Sequence, residues 1–220
     1  MMALLFAIAC WVFWYMSPQH VGQLAYDHNA IVAGEWWRLW SAHLVHFRFQ
    51  DLLINTGILV LFGLLSVRFT RFWQEAVCFF VAMPMMTGLL LITSPHTQFY
   101  RGAFGIAAMA AMIACWFLIL ESKRFSLGYW LGCLLALLYA ARLGLDGLAV
   151  LEMSHGAKAA AGIPWMMQLY GTLIGLAFFN ALHQDKVTRA GNNPQYWGDR
   201  PAPRRSSPAR PQRPSGGPRG

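Results

Sequence analysis

Long apolar stretches alternate with short polar connections over most of the chain. Six stretches have the length or nearly the length of a helix in a lipid bilayer, namely 2–16, 52–67, 72–93, 102–120, 125–141 and 163–182. They lack the apolar-polar alternation of a barrel strand, and a helix satisfies its own backbone hydrogen bonds in lipid. The pattern therefore predicts an all-α membrane protein, built as a bundle of six transmembrane helices.

The first stretch, 2–16, is short and also has the length of a signal-peptide core. No basic residue precedes it, and no convincing small-residue cleavage site follows it. These two observations favour a first transmembrane helix over a cleaved signal.

Composition and charge agree with a membrane protein and set its orientation. Hydrophobic residues make up 57% of the 220 residues and charged residues only 12%, which excludes an ordinary soluble globule. If the N-terminus is cytoplasmic, twelve of the 17 Lys and Arg residues lie on the cytoplasmic side and five on the outer side. The positive-inside rule thus predicts that both termini are cytoplasmic.

The composition changes from about residue 183 onward to Asn, Gln, Arg, Pro, Ser and Gly. We therefore divide the chain into a membrane domain, 1–183, and a basic tail, 184–220, predicted to be disordered. The tail is expected to lie against anionic lipid headgroups, and a PxxP ligand or a nucleic-acid tail are the alternatives. No folded nucleic-acid-binding module accompanies the tail, so we expect no nucleic-acid partner.

Four cysteines, Cys10, Cys78, Cys115 and Cys133, lie singly in four different stretches. Without a CxxC or other metal spacing, we interpret them as apolar packing residues and leave open one interhelical pair. No cofactor is expected.

Polar residues concentrate where the first connection enters the second stretch. Asp51 and Asn55 are spaced i, i+4 and so share one helix face, and His43 and His46 precede them closely. Polar groups near membrane depth are costly, which makes each a candidate for a functional site.

Three hypotheses account for this polar cluster. In a structural one, Trp36, Trp37 and Arg38 anchor the connection at the membrane surface while Asp51 caps the second helix. In a metal hypothesis, His43, His46 and Asp51 are ligands, with His96 on the same predicted side, but His-x-x-His in a loop is a weak signal. In a catalytic hypothesis, the cluster faces a water-filled cavity.

Three segments occur in the order found in a known family of membrane enzymes. LAYDHNAIVAGEWWRLWSAHLVH (24–46) leads into the second stretch, YRGAFG opens the fourth, and QLYGTLIG (168–175) lies in the sixth. Together they resemble the rhomboid intramembrane serine proteases, and they are most similar to the bacterial rhombosortases. The resemblance extends over about residues 24–179 and leaves the tail outside.

The resemblance implies where the family's catalytic groups fall on this chain. A serine in a Gly-x-Ser-Gly motif is the family's nucleophile, and here that position holds Phe104. The histidine base falls on Gln168 and the oxyanion histidine on Asp51, while the oxyanion asparagine is kept as Asn55. Phenylalanine has no nucleophilic atom and glutamine is no useful base, so the chain resembles a pseudoprotease.

Two serine-histidine pairs offer a displaced nucleophile. Ser94 and His96 lie before the fourth stretch, and Ser41 and His43 lie in the first connection. Neither pair has an evident third residue to orient the base.

The fourth and sixth stretches carry small residues suited to close helix packing. Gly171 and Gly175 form a GxxxG motif, and Gly102 and Gly105 begin an alanine-rich flank. Close backbone approach is what helix pairs in lipid require, so we expect these two helices to contact each other.

The function expected from these residues is recognition without cleavage. Transmembrane segments or C-terminal sorting tails of client proteins are the expected partners, along with membrane lipid, in a bacterial inner membrane. We expect binding contacts from Asn55, Asp51, His46, Phe104 and Gln168. The alternatives are an active protease with a displaced serine and a structural subunit of a membrane complex.

Overall fold

The computed structural model describes residues 1–152 and 155–191 and is mostly helical over them. Nine helices and one pair of short strands make up these residues: α1 (Met2–Trp14), α2 (Pro18–Leu24), β1 (Tyr26–Asp27), α3 (His28–Val32), α4 (Arg38–Ser41), α5 (Phe49–Ser66), α6 (Phe72–Thr93), β2 (Phe99–Tyr100), α7 (Phe104–Glu121), α8 (Leu127–Glu152) and α9 (His155–Gly191). Met1–His183 forms a compact unit.

Five of these helices, α5 to α9, are long and apolar enough to cross a membrane. The remaining predicted span corresponds to α1, an apolar helix of 13 residues. At 1.5 Å per residue it extends about 20 Å, short of a hydrocarbon core of about 30 Å. The structure thus agrees with a multipass membrane protein, with five helices of spanning length among the described residues.

Helix α6 has the predicted bounds, whereas α8 and α9 extend beyond theirs. Helix α8 continues to Glu152, because Arg142 and Asp146 interrupt the apolar run but pair across one turn at 3.6 Å. Helix α9 continues to Gly191 and so includes 184–191, which the composition had assigned to the disordered tail. Residues 192–220 of the predicted tail lie outside the described part of the chain.

Helix α7 occupies the centre of the bundle and is its most buried spanning helix. It packs on α5 and on α8, and its buried side chains are mainly small. Helix α1 packs on α5 and α6 beside this centre. Small side chains let the neighbouring backbones come close, which is the main source of helix association in lipid.

Helices α7 and α9 cross with their backbones almost in contact. A Cβ atom added to Gly171 would lie 2.0 Å from the carbonyl oxygen of Gly105, and one added to Gly175 would lie 2.9 Å from that of Met109. A Cβ added to Gly105 would lie 2.8 Å from the carbonyl oxygen of Met167. The contact expected between the fourth and sixth stretches is therefore present.

The connection between α1 and α5 folds around a buried arginine. The guanidinium of Arg38 donates hydrogen bonds to the carbonyls of Gly22 at 2.9 Å and Ala25 at 2.8 Å, and it pairs with Glu35. Arg38 therefore does not anchor the connection at the surface as the structural hypothesis expected. Trp37 is exposed and donates its indole N–H to the carbonyl of Gln23 at 3.4 Å.

The same connection is fastened to the start of α7. Strands β1 and β2 pair antiparallel, with Tyr26 opposite Tyr100. The backbone N–H of Gly102 donates to the carbonyl of Ala42 at 3.0 Å. These bonds position the residues that precede α5 against the first turn of α7.

Candidate functional site

A cavity of about 340 Å³ lies between the ends of α5, α7, α8 and α9, and we call it the main cavity. Its lining comprises Arg48, Gln50, Asp51, Ile54, Phe104, Arg142, Asp146, Ala149, Val150, Pro164, Trp165 and Gln168. Phe104, Gln168 and Asp51 are the positions that the resemblance gives to the nucleophile, the base and the oxyanion histidine. The structure brings all three into one site.

Phe104 is the first residue of α7, and a glycine determines how its ring lies. Gly102 has a φ of +136°, a conformation that favours glycine over residues with a side chain. A Cβ atom at Gly102 would also lie 2.5 Å from the ring of Phe104. The missing side chain at Gly102 thus makes room for the ring, which is half-buried and partly fills the main cavity.

Gln168 is buried on α9, in the helical turn before Gly171. Its backbone carbonyl accepts a hydrogen bond from the Thr172 hydroxyl at 2.7 Å, and that hydroxyl also lies 3.0 Å from the hydroxyl of Tyr139 on α8. On the next turns of the same two helices, the indole N–H of Trp165 donates to the carbonyl of Leu143 at 3.0 Å. These bonds hold the α8 and α9 walls of the cavity together.

Asp51 lies in the first turn of α5 and pairs with an arginine instead of capping the helix. Its two carboxylate oxygens accept from Arg48 at 3.1 and 3.2 Å, and Arg48 is the N-cap residue. On the facing helix, Arg142 and Asp146 form a second ion pair. Among its described lining residues, the main cavity thus carries two positive and two negative groups, as the pairs Arg48–Asp51 and Arg142–Asp146.

Asn55 and His46 are not among the described residues that line the main cavity. Asn55 is buried, and its amide nitrogen has no acceptor among the described residues. His46 accepts the backbone N–H of Ala103 through Nε2 at 3.3 Å, directly before α7 begins. Burial lowers the pKa of His46 to about 4, so the ring is neutral at pH 7 and can accept this bond.

His43 also forms a hydrogen bond with the backbone. Its Nε2 lies 3.1 Å from the carbonyl oxygen of Met83 and so donates to it. Burial lowers the pKa of His43 to about 4.

Within residues 1–152 and 155–191, no three His, Cys, Asp or Glu side chains come together as metal ligands. All four cysteines are free, and Cys10, Cys78 and Cys115 are buried.

The displaced serine-histidine pairs do not form. The Ser94 hydroxyl lies 2.8 Å from the Thr97 hydroxyl, and the Ser41 hydroxyl donates to the carbonyl of Leu24 at 2.7 Å. A different pair is present, because Ser17 Oγ lies 2.6 Å from Nδ1 of His20. Both residues are exposed, and neither is among the described residues that line the main cavity.

Sequence reasoning missed the contribution of α8 to the site. Arg142 and Asp146 line the main cavity although both lie beyond the predicted end of the fifth stretch. Two opposite charges spaced i, i+4 at the end of an apolar run were the available signal. The pair of Ser17 and His20, spaced i, i+3 in the connection between α1 and α5, was also missed.

No protein-family model matches the chain, and no curated protein matches it. The resemblance to rhomboid proteases therefore rests on the three sequence motifs.

Proposed function

We propose that this chain is a rhomboid-like membrane protein, related to the rhombosortases, that recognises client proteins without cleaving them. The client is a transmembrane segment or a C-terminal sorting tail, and the main cavity receives it. The protein resides in a bacterial inner membrane with both termini in the cytoplasm, and the bundle counts α1 as a sixth membrane helix.

One observation carries the proposal: the three positions that the resemblance assigns to catalysis line one cavity, and the described part of its lining has no hydroxyl or thiol nucleophile. Among residues 1–152 and 163–189, no residue that lines the cavity bears a hydroxyl, a thiol, an imidazole or an amine. In a serine protease, loss of the nucleophile or the base costs on the order of a millionfold in turnover. Such a cavity is suited to binding but not to acyl transfer.

The location of the main cavity supports a membrane-embedded client. Helices α5 and α8 each pack on α7, and the cavity lies between them. Both flanking helices expose large apolar residues, among them Leu53 and Ile54 on α5 and Leu145 and Leu148 on α8. A segment that enters between these helices leaves lipid and meets the polar groups of the cavity.

The chemistry of the lining supports a polypeptide client with a polar or unwound part. Gln168 and Gln50 offer amide donors and acceptors, which can satisfy a backbone that has left its helix. The ion pairs Arg48–Asp51 and Arg142–Asp146 offer both charges to client side chains. Phe104 and Trp165 form an apolar wall beside these polar groups.

Photo-crosslinking from the cavity tests the proposal. A photoreactive amino acid replaces Ile54, which lines the main cavity, or Leu53, which is similarly exposed on α5 but does not line it. We expect a crosslink from position 54 to an uncleaved membrane protein, mapped by mass spectrometry to an apolar segment or tail. The same product is expected to be weak or missing from position 53.

The outcomes separate the three functional classes. A structural subunit predicts crosslinks from both positions to the same neighbour, since lipid-facing surfaces make such contacts. An active protease predicts a client captured as a fragment that ends at the cavity. Equal crosslinking from positions 53 and 54, or none from position 54, contradicts the proposal.

A further inference from the structure

A second cavity, of about 190 Å³, lies at the end of α1, and His46 forms part of its wall. We call it the side cavity, and it shares no lining residue with the main cavity. Its walls are formed by Phe13, Trp14 and Met16 near the end of α1, together with Phe47 and Arg101. Its wall thus combines apolar side chains with the polar groups of Arg101 and His46.

Arg101 lacks a protein partner for its charge. No carboxylate pairs with it within residues 1–152 and 155–191. Its Nε is buried without a hydrogen-bond acceptor. The guanidinium carbon lies 4.6 Å from the centre of the Phe47 ring, a contact that holds the group in place but does not neutralise it.

A buried N–H without an acceptor is unfavourable, and for a charged donor the cost is larger. Burial accordingly lowers the pKa of Arg101. His46, the other polar residue of the wall, is neutral at pH 7. The side cavity therefore presents one unneutralised positive charge, and an anionic ligand would satisfy it.

We propose that the side cavity binds a phosphate group through Arg101, and that this phosphate belongs to a phospholipid headgroup. A guanidinium donates two parallel hydrogen bonds to phosphate oxygens, which is its most favourable anion geometry. The site lies where α1 ends and where α5 and α7 begin, at the level of helix ends. Headgroups occupy this level, and acyl chains can lie along the apolar wall of Phe13, Trp14 and Met16.

Binding of a short-chain phosphatidylglycerol to the purified protein in detergent tests the site, with inorganic phosphate and a short-chain diacylglycerol as comparison probes. Saturable binding is measured by native mass spectrometry and by the shift in unfolding temperature. Arg101→Gln removes the charge, and we expect it to weaken phosphatidylglycerol binding at least about tenfold. Arg124→Gln is the matched control, because Arg124 also lies over an aromatic ring but lines no cavity described above.

Val21→Trp provides a second variant that does not alter the arginine. Val21 lines the side cavity, and a tryptophan there fills it. We expect the same loss of phosphatidylglycerol binding, so the site remains testable if Arg101→Gln does not fold. Folding of every variant is checked by circular dichroism in the same detergent.

Each probe has a defined meaning. Arg101-dependent binding of phosphatidylglycerol alone supports a lipid headgroup, and equal Arg101-dependent binding of inorganic phosphate supports a free phosphate as the source. Equal binding of diacylglycerol and phosphatidylglycerol overturns the proposal, as does unchanged binding in Arg101→Gln or, if that variant does not fold, in Val21→Trp.

Discussion

The crossing of α7 and α9 can be tested with a single methyl group. In Gly171→Ala, the new Cβ would lie 2.0 Å from the carbonyl oxygen of Gly105, whereas ordinary contact begins at 3.4 Å. The two backbones must therefore separate by about 1.4 Å along this contact. Because the opposing atom is backbone, no change of side-chain rotamer can relieve the overlap.

The expected cost follows from two opposing effects. Overpacking of a tight site typically costs 1–3 kcal/mol, and we expect a clash with backbone to cost about 3 kcal/mol, at the upper end of this range. Alanine in place of a helical glycine contributes about 1 kcal/mol in the other direction. We therefore expect Gly171→Ala to lower the free energy of unfolding by about 2 kcal/mol.

Denaturant unfolding in one detergent at a fixed lipid content, followed by circular dichroism, measures this change. Gly57→Ala is the matched control, since a Cβ there meets no atom within 4 Å, and it should be neutral or stabilising by up to about 1 kcal/mol. Gly175→Ala, with its nearest atom at 2.9 Å, should fall between the two. The reasoning is refuted if Gly171→Ala is as stable as Gly57→Ala.

Three further predictions concern His46, Ser17 and the pair of Phe104 and Gln168. Burial lowers the pKa of His46 from 6.5 to about 4, so between these pH values the unfolded chain binds a proton that the folded chain does not. The free energy of unfolding should therefore fall as the pH drops from about 6.5 to about 4, by up to about 3 kcal/mol. His43 has the same lowered pKa and acts over the same pH range, so His46→Gln, which keeps an acceptor for the Ala103 N–H, should reduce this slope of the stability-against-pH curve by about half; an unchanged slope contradicts the assignment. Because Ser17 is exposed and outside the main cavity, a fluorophosphonate should label the wild type no more than Ser17→Ala, and labelling lost in that variant would restore the protease alternative. Phe104→Ser combined with Gln168→His should gain fluorophosphonate labelling over Phe104→Ser alone, and no gain argues against these positions as nucleophile and base.

The long helices could be predicted from the sequence because each is an uninterrupted apolar run. Helix α6 follows this rule from Phe72 to Thr93. The rule fails where charges are paired within a helix, as Arg142 and Asp146 are, because hydropathy counts each charge as a cost and ignores its partner. For this reason the sequence did not predict the end of α8, which forms one wall of the main cavity.

The connection between α1 and α5 could not be predicted because its polar side chains bond to distant backbone. Arg38 looked like a surface anchor next to two tryptophans, yet it binds carbonyls 13 and 16 positions away. Nothing in the local pattern specifies such partners. Phe104, Gln168 and Asp51 could be expected in one site only through the family resemblance, which did not reveal that Asn55 and His46 are not among the described lining residues of the main cavity.

The bonds that tie this connection to α7 also constrain the order in which the protein can assemble. His46 and Ala103 are 57 positions apart, and Tyr26 pairs with Tyr100. A ribosome makes the connection before it makes β2 and the start of α7, so the partners of Tyr26 and His46 are absent for all of that time. We expect the first two long helices to insert while Tyr26 and His46 still lack their partners, and the connection to be fastened to α7 only after α7 has emerged.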